Sequence, residues 1–179
     1  MVLFKDKFRV ESSRLKGWDY SAIGYYFVTI CTRGRECFLG DVIDGDVRLS
    51  PAGEIVAEEW QKTELLRCNV NLDEWVIMPN HLHGIIVINS ETPHRGVSTI
   101  GCGRDVPVAR LLKGSLGAIV GQFKSVCTKR IWAIGHDFAW QPRFHDEIIR
   151  DEKSLDVIRE YIRNNPLKWD LDENNPHNL

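Results

Sequence analysis

The sequence predicts an α+β domain with a mainly antiparallel sheet and helices packed on it. The order of elements is strand, hairpin, helix, two strands, helix, strand and helix. The strands outnumber the helical crossovers and do not alternate strictly with the helices, which argues against a doubly wound parallel sheet. The 179 residues are 43% hydrophobic, which is enough apolar material for the core of one ordinary domain. We therefore expect a single domain over residues 1–179.

The first part of the chain predicts a strand, a hairpin and a helix. Residues 25–32 are dense in aromatic and β-branched side chains, which favour a strand. Residues 37–49 contain the pair Asp44-Gly45, which is typical of a two-residue hairpin turn. Ser50-Pro51 then marks the start of a helix. Its apolar stripe is expected to consist of Ile55, Val56, Trp60 and Leu65.

The rest of the chain predicts three further strands and two helices. Residues 72–78 and 81–89 are strands on either side of Pro79-Asn80. A loop, a helix, a strand and a final helix ended by Pro166 follow at residues 90–107, 108–133, 138–149 and 152–165. The ends are expected to be a basic arm at residues 1–17 and a loose polar tail at residues 170–179.

The composition excludes several classes of protein. No apolar run reaches the roughly 18–20 residues that a membrane span needs, and the N-terminus lacks the apolar stretch of a secretory signal. The five cysteines are scattered and include no C-x-x-C pair, so neither a zinc ribbon nor a redox motif is indicated. We therefore expect a cytoplasmic protein with reduced thiols and no membrane partner.

The charge is unevenly distributed, although the formal net charge is only -2. Residues 104–143 contain seven Lys or Arg and two Asp or Glu. Together with the N-terminal arm they could form a local basic surface that attracts a polyanion. A merely solvated surface explains the same pattern, and the charge alone favours that simpler interpretation.

The strongest local signal is the motif P-N-H-L-H-G at residues 79–84. His81 and His83 are two residues apart on a predicted strand, so both imidazoles project from one face while Leu82 points into the core. Two histidines on one face can bind one cation through a ring nitrogen each. Gly84 is expected to make room for a bulky ligand beside the pair. The alternative is two half-exposed histidines on an amphipathic strand, with no metal.

A second candidate pair lies at the end of the last predicted helix. Tyr161 and Asn165 are four residues apart, so the phenol and the amide share one face. Together they could present a nucleophile and an oxygen ligand. The alternative assigns Tyr161 to the core and Asn165 to the C-terminal cap, and the spacing alone favours that alternative.

A third stretch, W-Q-P-R-F-H-D-E-I-I-R at residues 140–150, predicts a packed strand. Arg143 could reach a phosphate group. His145 and Asp146 form a potential acid–base pair in sequence, but adjacent residues on a strand point to opposite faces. We therefore interpret this pairing as incidental.

Three motifs in this order, P-N-H-L-H-G, W-Q-P-R-F-H-D-E-I-I-R-D and Y-I-R-N-N-P, resemble those of the REP-associated tyrosine transposases. These proteins are single-tyrosine HUH transposases of insertion sequences, where U is a hydrophobic residue. The resemblance runs from about Tyr25 to about Trp169, which is nearly the whole chain. It implies a ferredoxin-like or RRM-like HUH endonuclease core.

The resemblance also implies roles for individual residues. His81-Leu82-His83 matches the HUH motif, and Tyr161 matches the nucleophilic tyrosine of the family. It is the only one of the four tyrosines that follows the histidine pair in the chain. Asn165 matches the polar residue that completes the metal site one helical turn later. The implied ion is Mg²⁺ or Mn²⁺, because zinc usually recruits Cys or a third His.

The implied activity is metal-dependent cleavage and rejoining of single-stranded DNA at hairpins of repeated palindromes, through a 5′-phosphotyrosine intermediate. A homodimer is compatible with the resemblance, since the tyrosine helix acts on its own or on a partner subunit in the wider family. Two alternatives stay open: a metal-dependent nuclease that uses water, with Tyr161 structural, and an inactive protein that binds DNA hairpins. In all three cases, phosphate contacts are expected from Lys124, Lys129, Arg130 and Arg143.

Overall fold

The computed structural model describes residues 3–4, 7–8, 15, 17–90 and 114–178. The strands are β1 (Leu3–Phe4), β2 (Lys7–Phe8), β3 (Gly24–Cys31), β4 (Gly40–Ile43), β5 (Asp46–Leu49), β6 (Val70–Met78), β7 (His81–Ile88) and β8 (His145–Ile149). The helices are α1 (Pro51–Leu65), α2 (Leu116–Ala133) and α3 (Glu152–Asn164), with short 3-10 segments at Arg33–Arg35, Pro166–Leu171 and Pro176–Asn178. None of the helices within these described ranges is long and apolar enough to cross a membrane.

A four-stranded antiparallel sheet with the order β6-β7-β3-β8 forms the centre of the molecule. The chain order β3-α1-β6-β7-α2-β8 is the β-α-β-β-α-β unit of ferredoxin-like domains. The predicted α+β fold with a mainly antiparallel sheet is therefore confirmed.

One face of the sheet carries the larger core, and α1 and α2 cover it. Trp60 of α1 is fully buried there, and its ring centroid lies 5.1 Å from that of Phe123 in α2. The sheet residues on this face alternate along the strands, as the pleat requires. They are Tyr26, Val28 and Ile30 from β3 and Leu82 and Ile86 from β7.

Gly84 belongs to this helix-covered face, because it alternates with His83 along β7. A Cβ added at Gly84 would lie 2.5 Å from Cζ2 of Trp60. The glycine therefore lets the indole of α1 close against the strand. The expectation that Gly84 makes room for a ligand beside the histidines is wrong, since it faces the other side of the sheet.

Gly84→Ala is accordingly expected to lower the free energy of unfolding by about 1–3 kcal/mol, the usual cost of overpacking a core. Urea denaturation measures this loss. Gly121→Ala in α2 is a matched control, because an added Cβ there meets no atom within 4 Å. It should be neutral or slightly stabilising. If Gly84→Ala were as stable as the wild-type protein, that result would contradict the close packing of Trp60 against β7.

The opposite face of the sheet is covered by α3. Leu155 and Ile162 of this helix are buried against the sheet. Their partners are Phe27, Ile85 and Ile149. Because these two apolar residues dock the helix, Tyr161 can remain 42% exposed.

A β-bulge in β6 lies where two acidic side chains of this strand contact α3. The register between β6 and β7 shifts between Leu72 and Trp75. Such a bulge re-aims side chains, and the neighbouring residues Asp73 and Glu74 both reach α3. Asp73 accepts hydrogen bonds from Nε and Nη2 of Arg159 at 2.9 and 2.6 Å, and Glu74 accepts one from Arg163 at 3.0 Å.

The hairpin and the start of α1 agree with the sequence. β4 and β5 pair around Asp44 and Gly45, whose φ angles of 54° and 82° suit a primed turn. The Ser50 side chain accepts a hydrogen bond from the backbone N–H of Gly53 and caps α1. Leu65 differs from the expectation, since it lies at the last turn of α1 and is exposed.

The strand predicted at residues 138–149 is shorter in the structure, where β8 begins only at His145. Pro142 has no N–H to donate to a ladder, and the chain before it makes only an isolated bridge between Trp140 and Thr32. The predicted helix at residues 108–133 is seen from Leu116 onward. Its first residues, most of the loop at 90–107 and most of the arm at 1–17 lie outside the described residues.

The C-terminal segment packs against the domain, in contrast to the loose tail that the sequence predicts at residues 170–179. Asn174 and Asn175 are buried. The carbonyl of Asn174 accepts a hydrogen bond from Asn80, and Asn175 donates one to the carbonyl of Trp169. The polar composition of residues 170–179 predicted a loose segment, but these asparagines form hydrogen bonds within the protein.

Candidate functional site

His81 and His83 lie on the face of β7 that α3 covers. They pair with Cys31 and Thr29 of β3. Both are buried, with exposed fractions of 0% and 2%. The shared face predicted from the sequence is therefore present, whereas the alternative of two half-exposed histidines does not describe this site.

Each imidazole is held through its Nδ1 atom. Nδ1 of His81 lies 2.8 Å from Oδ1 of Asn80. The Asn80 amide nitrogen donates to the carbonyls of Arg35 and Asn174, which aims Oδ1 at the ring. His81 must then donate from Nδ1, and its Nε2 carries a lone pair.

His83 is held in the same way, with Nδ1 at 2.9 Å from the Thr29 hydroxyl. The result is that Nε2 of His83 lies 3.0 Å from Nε2 of His81. The two rings thus turn the same nitrogen toward one point.

Burial keeps both histidines neutral at physiological pH. It lowers the pKa of His81 to about 3, with help from the positive charge of Arg35. Burial also holds the pKa of His83 well below its usual value, and the neighbouring His81 adds to this effect. Neutral imidazole is the form that binds metal ions.

Tyr161 of α3 reaches the same point, and Asn165 follows it as the C-cap residue of this helix. The Tyr161 hydroxyl lies 3.2 Å from Nε2 of His83 in the same chain. Asn165 is 2% exposed, and its amide nitrogen donates to Asp172 at 3.2 Å. Burial raises the pKa of Tyr161, and the carboxylate of Asp172 adds to this rise. The phenol therefore needs local assistance to act as a nucleophile at neutral pH.

Asp172 is the residue that sequence reasoning missed. One carboxylate oxygen and one ring nitrogen each of His81 and His83 lie within 4.8 Å of one another. Asp172 comes from the C-terminal segment, and its Oδ1 accepts from the backbone N–H of Asn174 at 2.6 Å. The only signal in the sequence is the Asn-Asn-Pro turn formers that follow it.

The donor set fits a divalent cation. It combines two neutral imidazole nitrogens with a carboxylate, and Asn165, whose amide nitrogen donates to Asp172, has an amide oxygen that is a further candidate ligand. That oxygen, Oδ1 of Asn165, is buried and has no hydrogen-bond partner among the described residues. A buried polar atom without a partner is costly, and a cation bound here would satisfy it. Mixed imidazole and oxygen ligands are found at sites for several divalent metal ions.

A cavity of about 450 Å³ opens beside these residues. Its lining includes Phe27, His83, Tyr161, Arg143 and His145. Arg143 and the phenol of Tyr161 thus border the same cavity. Lys129, another residue predicted to contact DNA, is exposed on α2.

The other two predicted DNA contacts, Lys124 and Arg130, have partners within the protein. The Lys124 ammonium donates to the backbone carbonyls of Gln141 and Arg143, and burial lowers its pKa. Lys124 therefore holds the backbone of Gln141 and Arg143, two residues that line the cavity.

Arg130 pairs with two carboxylates of α1, Glu58 at 2.8 Å and Glu59 at 2.6 Å. Its charge is therefore paired with carboxylates of the protein itself. The sequence pattern of basic residues could not reveal these partners, because they come from distant segments.

The bidentate pair between Arg159 and Asp73 fixes the helix that carries Tyr161. Replacing Asp73 by Asn is expected to lower the free energy of unfolding by about 1.5–3 kcal/mol and to slow any reaction that needs the phenol in place. Arg159 depresses the pKa of Asp73 in the folded protein. The stabilisation by this ion pair is therefore fully present above the pKa of Asp in the unfolded chain, about 3.9. It is lost as the pH falls through the pKa of Asp73 in the folded protein.

Urea denaturation at pH 7 and at pH 3 measures both effects, since the difference between wild type and Asp73→Asn should narrow at the lower pH. Asp156→Asn is the matched control. Asp156 also contacts Arg159, at 3.1 Å, but its side chain is 67% exposed, so the loss should stay within about 1 kcal/mol. A pH-independent difference would show that the ion pair does not stabilise α3.

Comparisons with known proteins identify a relative in sequence and a solved structure of similar fold. It is 36% identical over 166 residues to an uncharacterized protein of Haemophilus influenzae, an alignment that covers 91% of each chain. The chain belongs to the same family as that protein. No family model matches the chain.

Among solved structures, a REP-associated tyrosine transposase bound to a REP hairpin is similar over 90% of this chain and 74% of its own. The TM-score is 0.57, at 21% sequence identity. The fold that the three motifs implied is confirmed by this similarity.

Proposed function

We propose that this protein is a transposase-like enzyme that cuts and rejoins single-stranded DNA at hairpins of repeated palindromes. One observation carries the proposal. The hydroxyl of Tyr161 lies 3.2 Å from Nε2 of His83, beside the ligand cluster of His81, His83 and Asp172. A phenol next to a metal-binding group is the arrangement that a phosphotyrosine mechanism requires. The fold is that of a transposase whose structure holds a REP hairpin.

In the proposed reaction, the Tyr161 oxygen attacks the scissile phosphorus and the DNA 3′-oxygen departs. The 5′-phosphate is then esterified to Tyr161. Because the ester conserves the energy of the phosphodiester bond, a second 3′-hydroxyl can reverse the step and join a new strand. A water nucleophile would end the reaction without joining.

The metal ligands in this proposal are His81, His83, Asp172 and Asn165. The cation, Mg²⁺ or Mn²⁺, supplies charge neutralisation at the non-bridging phosphate oxygens. Asn80 and Thr29 orient the two imidazoles through Nδ1. Tyr161 and His83 belong to one chain, so a monomer carries a complete set of these residues and a homodimer is not required for the chemistry.

DNA is expected to enter the cavity beside Tyr161. Arg143 is proposed to contact the scissile phosphate, and Lys129 to contact the backbone farther along. Hairpin recognition is proposed from the similarity to the transposase with the bound hairpin, and a positively charged groove can hold single-stranded flanks without sequence preference.

A denaturing gel tests the proposal. The protein is incubated with magnesium and a single-stranded oligonucleotide that folds into a palindromic hairpin and carries a label on the 3′ side of the cleavage site. A transposase-like enzyme retains the label as a covalent protein–DNA adduct. Free labelled fragments without an adduct would indicate a nuclease that uses water, and binding without either product would indicate an inactive hairpin-binding protein.

A further inference from the structure

A third imidazole, that of His145, faces the cavity without belonging to the metal ligands. β3 lies between β7 and β8, and Thr29 pairs with His83 on one side and with His145 on the other. Residues that pair directly across antiparallel strands project to the same face. His145 is exposed and lines the cavity together with Tyr161. Asp146 pairs with Val28 and faces away, as the sequence predicted.

The ring of Phe27 is the common neighbour of the groups around this cavity. Its centroid lies 5.4 Å from His83, 6.1 Å from Tyr161 and 6.5 Å from His145. Tyr161 and His145 both present their edges to it, with interplanar angles of 84° and 71°. The phenol contacts His83 of β7 and His145 belongs to β8, so Phe27 of β3 is a neighbour of both rings.

An in-line displacement determines how far apart the nucleophile and the proton donor must lie. The attacking oxygen lies about 3–3.5 Å from phosphorus in a reactive complex, and a proton donor lies about 2.6–3.2 Å from the departing oxygen. With the breaking bond between them, nucleophile and donor are about 8 Å apart. Neighbouring strands are about 4.8 Å apart, so β7 and β8 are separated by about 9–10 Å.

Resting on the proposed function, we propose that His145 is a catalytic residue that protonates the departing 3′-oxygen. The bond from the Tyr161 oxygen to phosphorus forms, the bond from phosphorus to the 3′-oxygen breaks, and its electron pair takes the proton from the His145 imidazolium. The phenol proton passes to solvent, and His145 is left neutral. In rejoining, the neutral His145 accepts the proton of the incoming 3′-hydroxyl, and the Tyr161 oxygen leaves and takes a proton from solvent.

The leaving atom provides the test. Two hairpin oligonucleotides are compared, one with the natural 3′-oxygen at the scissile bond and one with sulfur in its place. A thiolate leaves without protonation, because the pKa of a thiol is only about 8.5. Adduct formation by His145→Gln should be about 10²–10⁴-fold slower than wild type with the oxygen substrate. With the sulfur substrate, the variant and wild type should react within a few-fold of each other.

Glu147→Gln is the matched control, since Glu147 lies two residues along β8 on the same face and opposite Phe27. It should react like wild type with both substrates. Wild-type rates of His145→Gln with the oxygen substrate would overturn the assignment, and so would an equal loss with both substrates, which indicates a binding role. In either case the wild-type adduct still supports the proposed function. If wild type forms no adduct with either substrate, the proposed function itself fails.

Discussion

Tyr161→Phe is expected to abolish the covalent protein–DNA adduct completely while the protein stays folded. The substitution removes only the hydroxyl. The ring keeps its contacts with Phe27 and His83, whose centroids lie 6.1 and 5.2 Å away. The lost hydrogen bond to His83 should change the free energy of unfolding by about 1 kcal/mol. The measurements are the denaturing gel for the adduct and urea denaturation for stability.

Tyr25→Phe is the matched control for this experiment. Tyr25 is 38% exposed, similar to Tyr161, and it lies on the same face of the sheet. It pairs with Val87 and Ile149, far along β3 from the histidines. This variant should form the adduct at the wild-type rate. An adduct with Tyr161→Phe would assign the nucleophile to another residue, whereas continued cutting without an adduct would favour the nuclease.

The local part of the candidate site could be predicted from the sequence because short-range geometry determines it. The two-residue repeat of a strand places His81 and His83 on one face, and the four-residue spacing of a helix places Tyr161 above Asn165. The capping residue Ser50 and the turn pair Asp44-Gly45 are similarly local. For such features, the chain neighbours supply most of the physical constraints.

The long-range part of the site could not be predicted in this way. Asp172 reaches the histidines because the segment after α3 folds back onto Asn80, and its polar composition gave no hint of burial. Whether a glycine opens a ligand site or admits a core indole depends on which face α1 covers, which a strand pattern alone does not specify. The carbonyl partners of Lys124 likewise depend on the path of the chain around Pro142.

Removing one imidazole of the metal cluster is the second change for which we expect a large effect on adduct formation. Metal binding measures the loss of this ligand independently of catalysis. In His83→Ala, the cluster loses a nitrogen that lies 3.0 Å from the facing nitrogen of His81. A cation held only by His81 and the two oxygens should bind far more weakly, so adduct formation should fall below detection. Because the ring is buried among other rings, the variant should also lose about 1–3 kcal/mol of stability without metal.

The thermal shift caused by manganese separates these two losses. Wild type should gain about 2.7 kcal/mol of stability when manganese is present at 100 times its dissociation constant, and His83→Ala should gain almost nothing at that concentration. His136→Ala, which changes an exposed histidine after α2, should show the full wild-type shift. An undiminished shift in His83→Ala would place the cation elsewhere and remove the chemical basis for activating Tyr161. A lost shift with full adduct formation would show that the phenol reacts without the ion, because the substitution removes a ligand but leaves the nucleophile in place.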